Sequence, residues 1–345
     1  MEASLPANQD SLDALPPHLV MLQMATGNWV SQCIYAAAKL GIADLLKTGE
    51  KSCDELAMLT KSHAPSLYRL LRALAGMGVF AETEPRQFVL TPLAQCLRSE
   101  VPESIRGTSI MLGDRELYDS WGDILHSIQT GESGFEHLFD MNVAEYCAEN
   151  PETAAVIDQG MTSLSSTEIA AVVASYDFSS IRHLIDVAGG EGSLLTTILK
   201  ANPQMEGVLF DLPEVIERVK PRIAQEAIAD RCQLVAGGFF ESVPAGADVY
   251  LLKHILHDWD DERSVAILKN CYNAMAANSK LLVVEMVIPP GNALFMGKLL
   301  DMHMLMVCPG GKERTEEEYR ALFEAAGFQL TRIVPTQNAA SVLKE

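Results

Sequence analysis

The sequence predicts an α/β protein in two parts: a C-terminal half built as a doubly wound, mostly parallel sheet, and a mostly helical N-terminal part containing a winged-helix arrangement. Three observations predict it. From about Ser180, short and nearly unbroken apolar bursts alternate with helical stretches, as in strands covered on both faces. Earlier in the chain, three short helices run directly into a two-stranded hairpin. With 345 residues, 48% of them apolar, the chain is long enough to bury two cores.

Residues 1–17 hold Pro6, Pro16 and Pro17 among polar residues and read as a flexible arm. Leu19 to Leu40 carries apolar residues at three- and four-residue spacing with few charges. This predicts one helix covered on more than one side, as in a subunit interface. Gly41 precedes IADLL, Ser52 caps CDELAML with Glu55 three residues on, and Ser66 is expected to start LYRLLRALAGMG. VFAE and FVLT flank a turn at TEPRQ and complete a winged-helix domain over 18–105. Residues 106–178 are mostly helical, with Trp121, Phe135, Phe139 and Tyr146 as anchors, and read as a connector lining a pocket. From 179 the strands are HLIDVA, GVLFDL, CQLVA, DVYLLK, KLLVVEMVI, FQLTRIV and SVLKE, separated by helices.

Charge narrows the function. With 46 acidic against 26 basic residues the net charge is −20, and such a surface repels phosphate backbones. The winged helix is therefore expected to dimerise rather than to bind nucleic acid. No apolar run reaches the ~18 residues of a membrane span, and the start, MEASLPANQD, lacks the features of a signal peptide, so a cytoplasmic protein is expected. Seven scattered cysteines, none in a C-x-x-C pair, predict neither a disulfide framework nor a metal site.

In doubly wound sheets ligands bind at the carboxyl ends of strands. The first such edge reads Asp186-Val187-Ala188-Gly189-Gly190-Glu191-Gly192, a loop in which glycines allow a sharp turn and close approach of a ligand. The second strand ends in Asp211, about 25 residues on, where a carboxylate accepts hydrogen bonds from ribose hydroxyls. A nucleoside-containing cofactor follows, either a dinucleotide or S-adenosylmethionine. The A-G-G-E-G spacing departs from the dinucleotide fingerprint and Glu191 repels phosphate, whereas a cationic sulfonium tolerates acids. The fourth strand ends in Lys253-His254-Ile255-Leu256-His257-Asp258-Trp259, which sets His257 at the same edge of the sheet.

LIDVAGGEGSLL, FDLPEVIE, LLKHILHDWDDERSVAILKNC, LLVVEMVIP and GGKERTEEEYRALFEAAGF follow one another at set spacing. In these motifs the chain, from about His18 to Glu345, resembles the class I S-adenosylmethionine-dependent small-molecule O-methyltransferases of the plant caffeate and bacterial polyketide-tailoring type. The resemblance implies a homodimer through the winged-helix domain and a Rossmann-like methyltransferase domain over 179–345. It implies His257 as general base, oriented by Glu285 and Glu313. The cofactor would lie on Asp186, Ala188, Gly189, Gly190, Gly192, Asp211, Leu212, Gly238, Phe239 and Lys253. A small hydroxylated substrate would meet Met161, His254, Asp258 and Met304, and the family chemistry needs no metal. A phenol ionises near pH ~10 and imidazole near ~6.5, so a positioned histidine accepts the proton as the oxygen attacks.

Two positions depart from the family pattern. Ala188 stands where a glycine is usual, and the loop is expected to form if that residue keeps a negative φ. The G-D-F-F element reads Gly237-Gly238-Phe239-Phe240, without the acid that contacts adenine. The rival expectations are a fold repurposed as a pericyclase or hydroxylase and, further off, a winged-helix regulator.

Overall fold

The computed structural model describes residues 15–345, and the expected arm lies outside them except for its last three residues. Pro17, the last of these, already opens the first helix, Pro17–Ala25. The described residues divide into two compact units: those up to 118 together with 150–167, and 119–149 together with 168–345.

In the first unit the expected single helix over Leu19 to Leu40 is two, Pro17–Ala25 and Gly27–Lys39. The break is at Thr26, whose hydroxyl turns back onto the carbonyls of Leu22 and Gln23 and is followed by Gly27. The Ser52 and Glu55 capping box forms as read. Ser66 is not a cap: the helix Ala64–Gly76 begins two residues earlier, with a proline in its first turn, where a missing N–H costs nothing. Phe80–Glu84 (β2) and Gln87–Leu90 (β3) form the hairpin, and Lys51–Ser52 (β1) pairs antiparallel with β3. Ile42, Leu56, Leu71, Leu74, Phe80 and Phe88 are the centre of this core. The helix Pro17–Ala25 buries nothing, and Met21, Leu22, Met24 and Trp29 stand exposed.

The second unit carries one sheet in the order β10-β11-β8-β7-β4-β5-β6. Its strands are His183–Val187 (β4), Glu206–Asp211 (β5), Cys232–Ala236 (β6), Val249–Lys253 (β7), Lys280–Ile288 (β8), Arg332–Pro335 (β10) and Ala340–Lys344 (β11), with the two-residue Arg314–Thr315 (β9) beside β8. β6, β5, β4, β7 and β8 are parallel, and β11 and β10 close one edge antiparallel. The order reverses between β4 and β7, so the loops after these strands open at the switch point where such sheets bind ligands. FQL does not join β10 as expected: the Leu330 carbonyl accepts from Arg320 Nη1 at 2.7 Å, and pairing with β11 begins at Thr331, whose N–H donates to the Lys344 carbonyl at 2.9 Å. Among the described residues no helix is long and apolar enough to cross a membrane.

Candidate active site

At the end of β4 the chain must turn into the helix Ser193–Ala201 within a few residues. Gly190 (φ 55°) and Gly192 (φ 67°) supply left-handed backbone. Ala188 does too: its φ is 56°, contrary to the expected negative value. The left-handed region costs an L-residue roughly 1–2 kcal/mol, so the loop carries strain at the one position where the usual glycine is replaced. Ala188→Gly is therefore expected to stabilise the fold by about 0.5–1 kcal/mol after the larger unfolded-state entropy of glycine is subtracted, measured as a raised midpoint in urea. Gly189 is held for another reason, since a Cβ there would stand 2.4 Å from Leu209 and 2.6 Å from Asp186.

Asp211 pins this loop. One carboxylate oxygen accepts the Gly190 N–H at 2.8 Å and the other its neighbour Leu212 N–H at 2.7 Å. Burial nevertheless holds Asp211 above the ordinary carboxylate range. Asp186 is more deeply enclosed: burial pushes its carboxyl up to about 7, against the pull of the Lys253 charge, and its Oδ2 has no hydrogen-bond partner. A Cβ on Gly190 or Gly238 would meet nothing within 4 Å. An orphaned buried acid beside backbone that faces open space fits a cationic nucleoside ligand, so these residues suit S-adenosylmethionine. Leu212 is half-exposed, and Phe239 stacks edge-on with Phe240 and Trp259.

Beyond β7 the backbone turns sharply at His254, a second non-glycine with left-handed φ, 54°, and enters the short helical turn Leu256–Asp258. Glu285, fully buried on β8, accepts the backbone N–H groups of Ile255 (3.1 Å) and Leu256 (2.9 Å) and so fixes the turn that carries His257. His257 Nδ1 lies 2.6 Å from Glu313 Oε1 and 3.7 Å from Glu285 Oε2, and its Nε2 is 3.5 Å from Asp258. Burial alone would lower its pKa. Glu285, Asp258 and Glu313 together override that and hold it at about 10.

His254 lies beside it, ring centroids 5.0 Å apart, with Nδ1 3.4 Å from Glu285. Its Nε2 meets Glu168 at 2.7 Å, and the same carboxylate lies 3.4 Å from Lys253 Nζ. Although burial opposes it, the hydrogen bond to His254 holds Glu168 down at about 2. The site is thus a buried chain of alternating charge. His254, His257 and Glu285 also offer three ligand atoms within 4.8 Å of one another, but each ring already has a nitrogen turned to a carboxylate.

Sequence reasoning named His254, His257, Asp258, Glu285 and Glu313, and these lie together. Asp186, Ala188, Gly189, Gly190, Gly192, Asp211 and Lys253 gather at the neighbouring strand ends. Met304 is buried in the helix Met296–Val307, whereas Met161 lies in the other unit with its side chain exposed. Glu168 was missed, and a signal existed. It shares a helical stripe with Val172, which is fully buried, so a charge at that position required a partner. Arg314 and His303 were also missed, whereas Trp121, which meets His303, was read as an anchor of the connector.

Known proteins resemble this chain along most of its length. The O-methyltransferase domain family matches residues 121–329 and the O-methyltransferase dimerisation domain family residues 22–100. The chain is 47% identical to phenazine O-methyltransferase PhzM of Lysobacter antibioticus over 96% of both chains. It is 38% identical to 3-amino-4-hydroxybenzoate 4-O-methyltransferase of Streptomyces cremeus, covering 91% of this chain and 86% of that one. CalO1, a methyltransferase in calicheamicin biosynthesis solved in its SAH-bound form, superposes with a TM-score of 0.84 at 34% identity, over 95% and 97% of the two chains. The chain belongs to the S-adenosylmethionine-dependent O-methyltransferases, with the family's dimerisation domain ahead of a class I methyltransferase domain.

Proposed function

We propose that this enzyme methylates a phenolic hydroxyl of a small aromatic secondary metabolite, with His257 as general base. The observation that carries the reading is the 2.6 Å contact between His257 Nδ1 and Glu313 at the carboxyl edge of β7. With Nδ1 so engaged, Nε2 is the nitrogen left to take the acceptor's proton. Glu313 orients the ring and stabilises the imidazolium that results, while Glu285 acts through the turn and Glu168 holds His254 beside it. When bound, S-adenosylmethionine supplies a methyl group already activated on sulfur. The chain's own task is to position the acceptor and remove its proton. The relatives named above act on a phenazine and a hydroxybenzoate, which supports an aromatic acceptor, and the rival pericyclase, hydroxylase and regulator readings find no support among them.

For the cofactor, we assign the ribose to Asp211, the nucleoside to the Ala188–Gly192 loop with Leu212, and the adenine to the neighbourhood of Gly238 and Phe239. Gly238 has room for a side chain. Gly238→Asp is expected to tighten cofactor binding several-fold to tenfold, the net worth of one hydrogen bond at about 0.5–1.5 kcal/mol, read by calorimetry. No gain would mean that another residue already holds the adenine.

A homodimer formed through the N-terminal helices accounts for the exposed Met21, Leu22, Met24 and Trp29. Light scattering at micromolar concentration should give twice the 37.6 kDa chain mass, and a monomer would defeat this. A cytoplasmic setting and the absence of a nucleic-acid or membrane partner fit the free cysteines and the charge of −20. The function itself is tested by calorimetric titration with S-adenosylmethionine, followed by mass spectrometry of a phenol panel for the gain of one methyl group. Binding without methylation of any phenol would overturn it.

A further inference from the structure

Near His257, geometry alone holds another histidine in one tautomer. Trp121 directs Nε1 at His303 Nδ1 across 3.1 Å, with the two ring planes 13° apart. An indole N–H only donates, so His303 Nδ1 presents a lone pair and the ring's proton sits on Nε2. Burial, helped by the His257 charge, lowers His303 to about 4, and the ring stays neutral. Its Nε2 has no hydrogen-bond partner among the described residues, yet that atom is not sealed from solvent. The helix that carries it, Met296–Val307, is tied to the base: Asp301 accepts the Glu313 backbone N–H at 2.9 Å, and Glu313 holds His257.

A neutral, preset N–H donor on a helix tied to the base has a defined complement. We infer that His303 is a specificity residue of the acceptor site, donating from Nε2 to an uncharged acceptor atom, a carbonyl oxygen or ring nitrogen, on the same aromatic system that bears the hydroxyl. The inference rests on the phenol-methylating reading and adds the class of phenol. Glu168, Glu285, Glu313 and Asp258 already crowd this part of the unit with acids, so a substrate carboxylate would add repulsion that a neutral donor offsets poorly.

The test compares hydroxyquinolines, with nitrogen at different ring positions, against 1-naphthol and 2-naphthol, which match them in shape but lack the acceptor. The wild type should prefer at least one hydroxyquinoline by kcat/KM. His303→Phe should cut that activity about threefold to tenfold, the loss of one neutral hydrogen bond, while naphthol turnover stays within about twofold. His303→Gln should keep the preference, because its amide accepts from Trp121 and still donates. Nitrogen-15 NMR of the wild type should show His303 Nδ1 unprotonated at pH 7 and still unprotonated at pH 5.5. The inference is overturned if His303→Phe keeps the preference, if it loses both substrate classes equally, or if Nδ1 carries the proton. Failure of the wild type to methylate either class is a different result, since it removes the phenol-methylating reading and this inference with it.

Discussion

His257→Ala is expected to lose about 10²–10⁴ in turnover on a phenol, the usual worth of general-base assistance, while binding S-adenosylmethionine as the wild type does. The affinity should survive because the loops after β4 and β5 make their own contacts, among them Gly190 N–H to Asp211. Alkaline pH should partly rescue the variant, since hydroxide ionises the phenol without help. The wild type should show its own pH dependence, with a sign fixed by the acids around the ring. His257 is held at about 10, so near neutral pH the free site contains an imidazolium, which is no base. Turnover should therefore climb with pH, and any cation seated beside the ring moves the climb to lower pH. Stability runs the other way. A value raised above the ordinary ~6.5 stabilises the fold fully below that pH, and the contribution fades as pH rises toward about 10. Glu313→Gln removes one of the charges that raise the value, so its activity should rise at lower pH than the wild type's, with a smaller loss than His257→Ala. Near-normal turnover by His257→Ala would leave positioning alone as the mechanism.

The parts of this molecule that were legible in the sequence are those where one physical demand dominates. Strands covered on both faces must be apolar, so β4 to β8 stand out as bursts. A strand that turns at once into a helix needs left-handed backbone, so the loop after β4 stands out by its glycines. The acids around His257 were legible only through the family resemblance, since Glu285 and Glu313 are far from it in sequence and lone glutamates are usually solvated. What stayed hidden were competitions between demands. At Thr26 a side-chain hydrogen bond and a glycine outweigh the helical spacing of the flanking residues. At Ser66 a cap-forming side chain lies inside a helix that Pro65 starts earlier. At Ala188 and His254 local preference opposes the observed φ, and both lie at the strand ends where the ligands are expected. Strain of this kind collects at functional sites because surrounding structure over-determines the backbone there. Arg314 reads as part of a solvated charge run, KERTEEE, and no local pattern shows that it turns fully inward, as Glu313 beside it does, with bonds to two backbone carbonyls.

That inward turn leads to the second large effect. Arg314 is fully buried on β9 and donates to the Leu256 carbonyl (2.8 Å), the Trp259 carbonyl (2.7 Å), Asp261 (2.9 and 3.0 Å) and Ser264 Oγ (3.3 Å). The two carbonyls bracket the turn Leu256–Asp258 that carries His257, so one guanidinium clamps from below what Glu285 holds through its N–H groups. Arg314→Met keeps a side chain of similar reach without a donor. Asp261 is more than half exposed and regains water, but the carbonyls keep only longer contacts: Leu256 from Ser264 Oγ at 3.2 Å and the Trp259 N–H at 3.3 Å, Trp259 from Ser264 Oγ at 3.4 Å. Leaving two buried acceptors so poorly paired is expected to cost about 2–4 kcal/mol, measured by urea unfolding at constant m. Arg314→Lys should recover little, because an ammonium cannot reproduce a planar fork aimed at two carbonyls and a carboxylate. Turnover should fall in both variants by more than the unfolded fraction explains, since the turn that aims His257 loosens even in folded molecules. A stability within about 0.5 kcal/mol of wild type, together with unchanged turnover, would mean that Glu285 alone holds the turn.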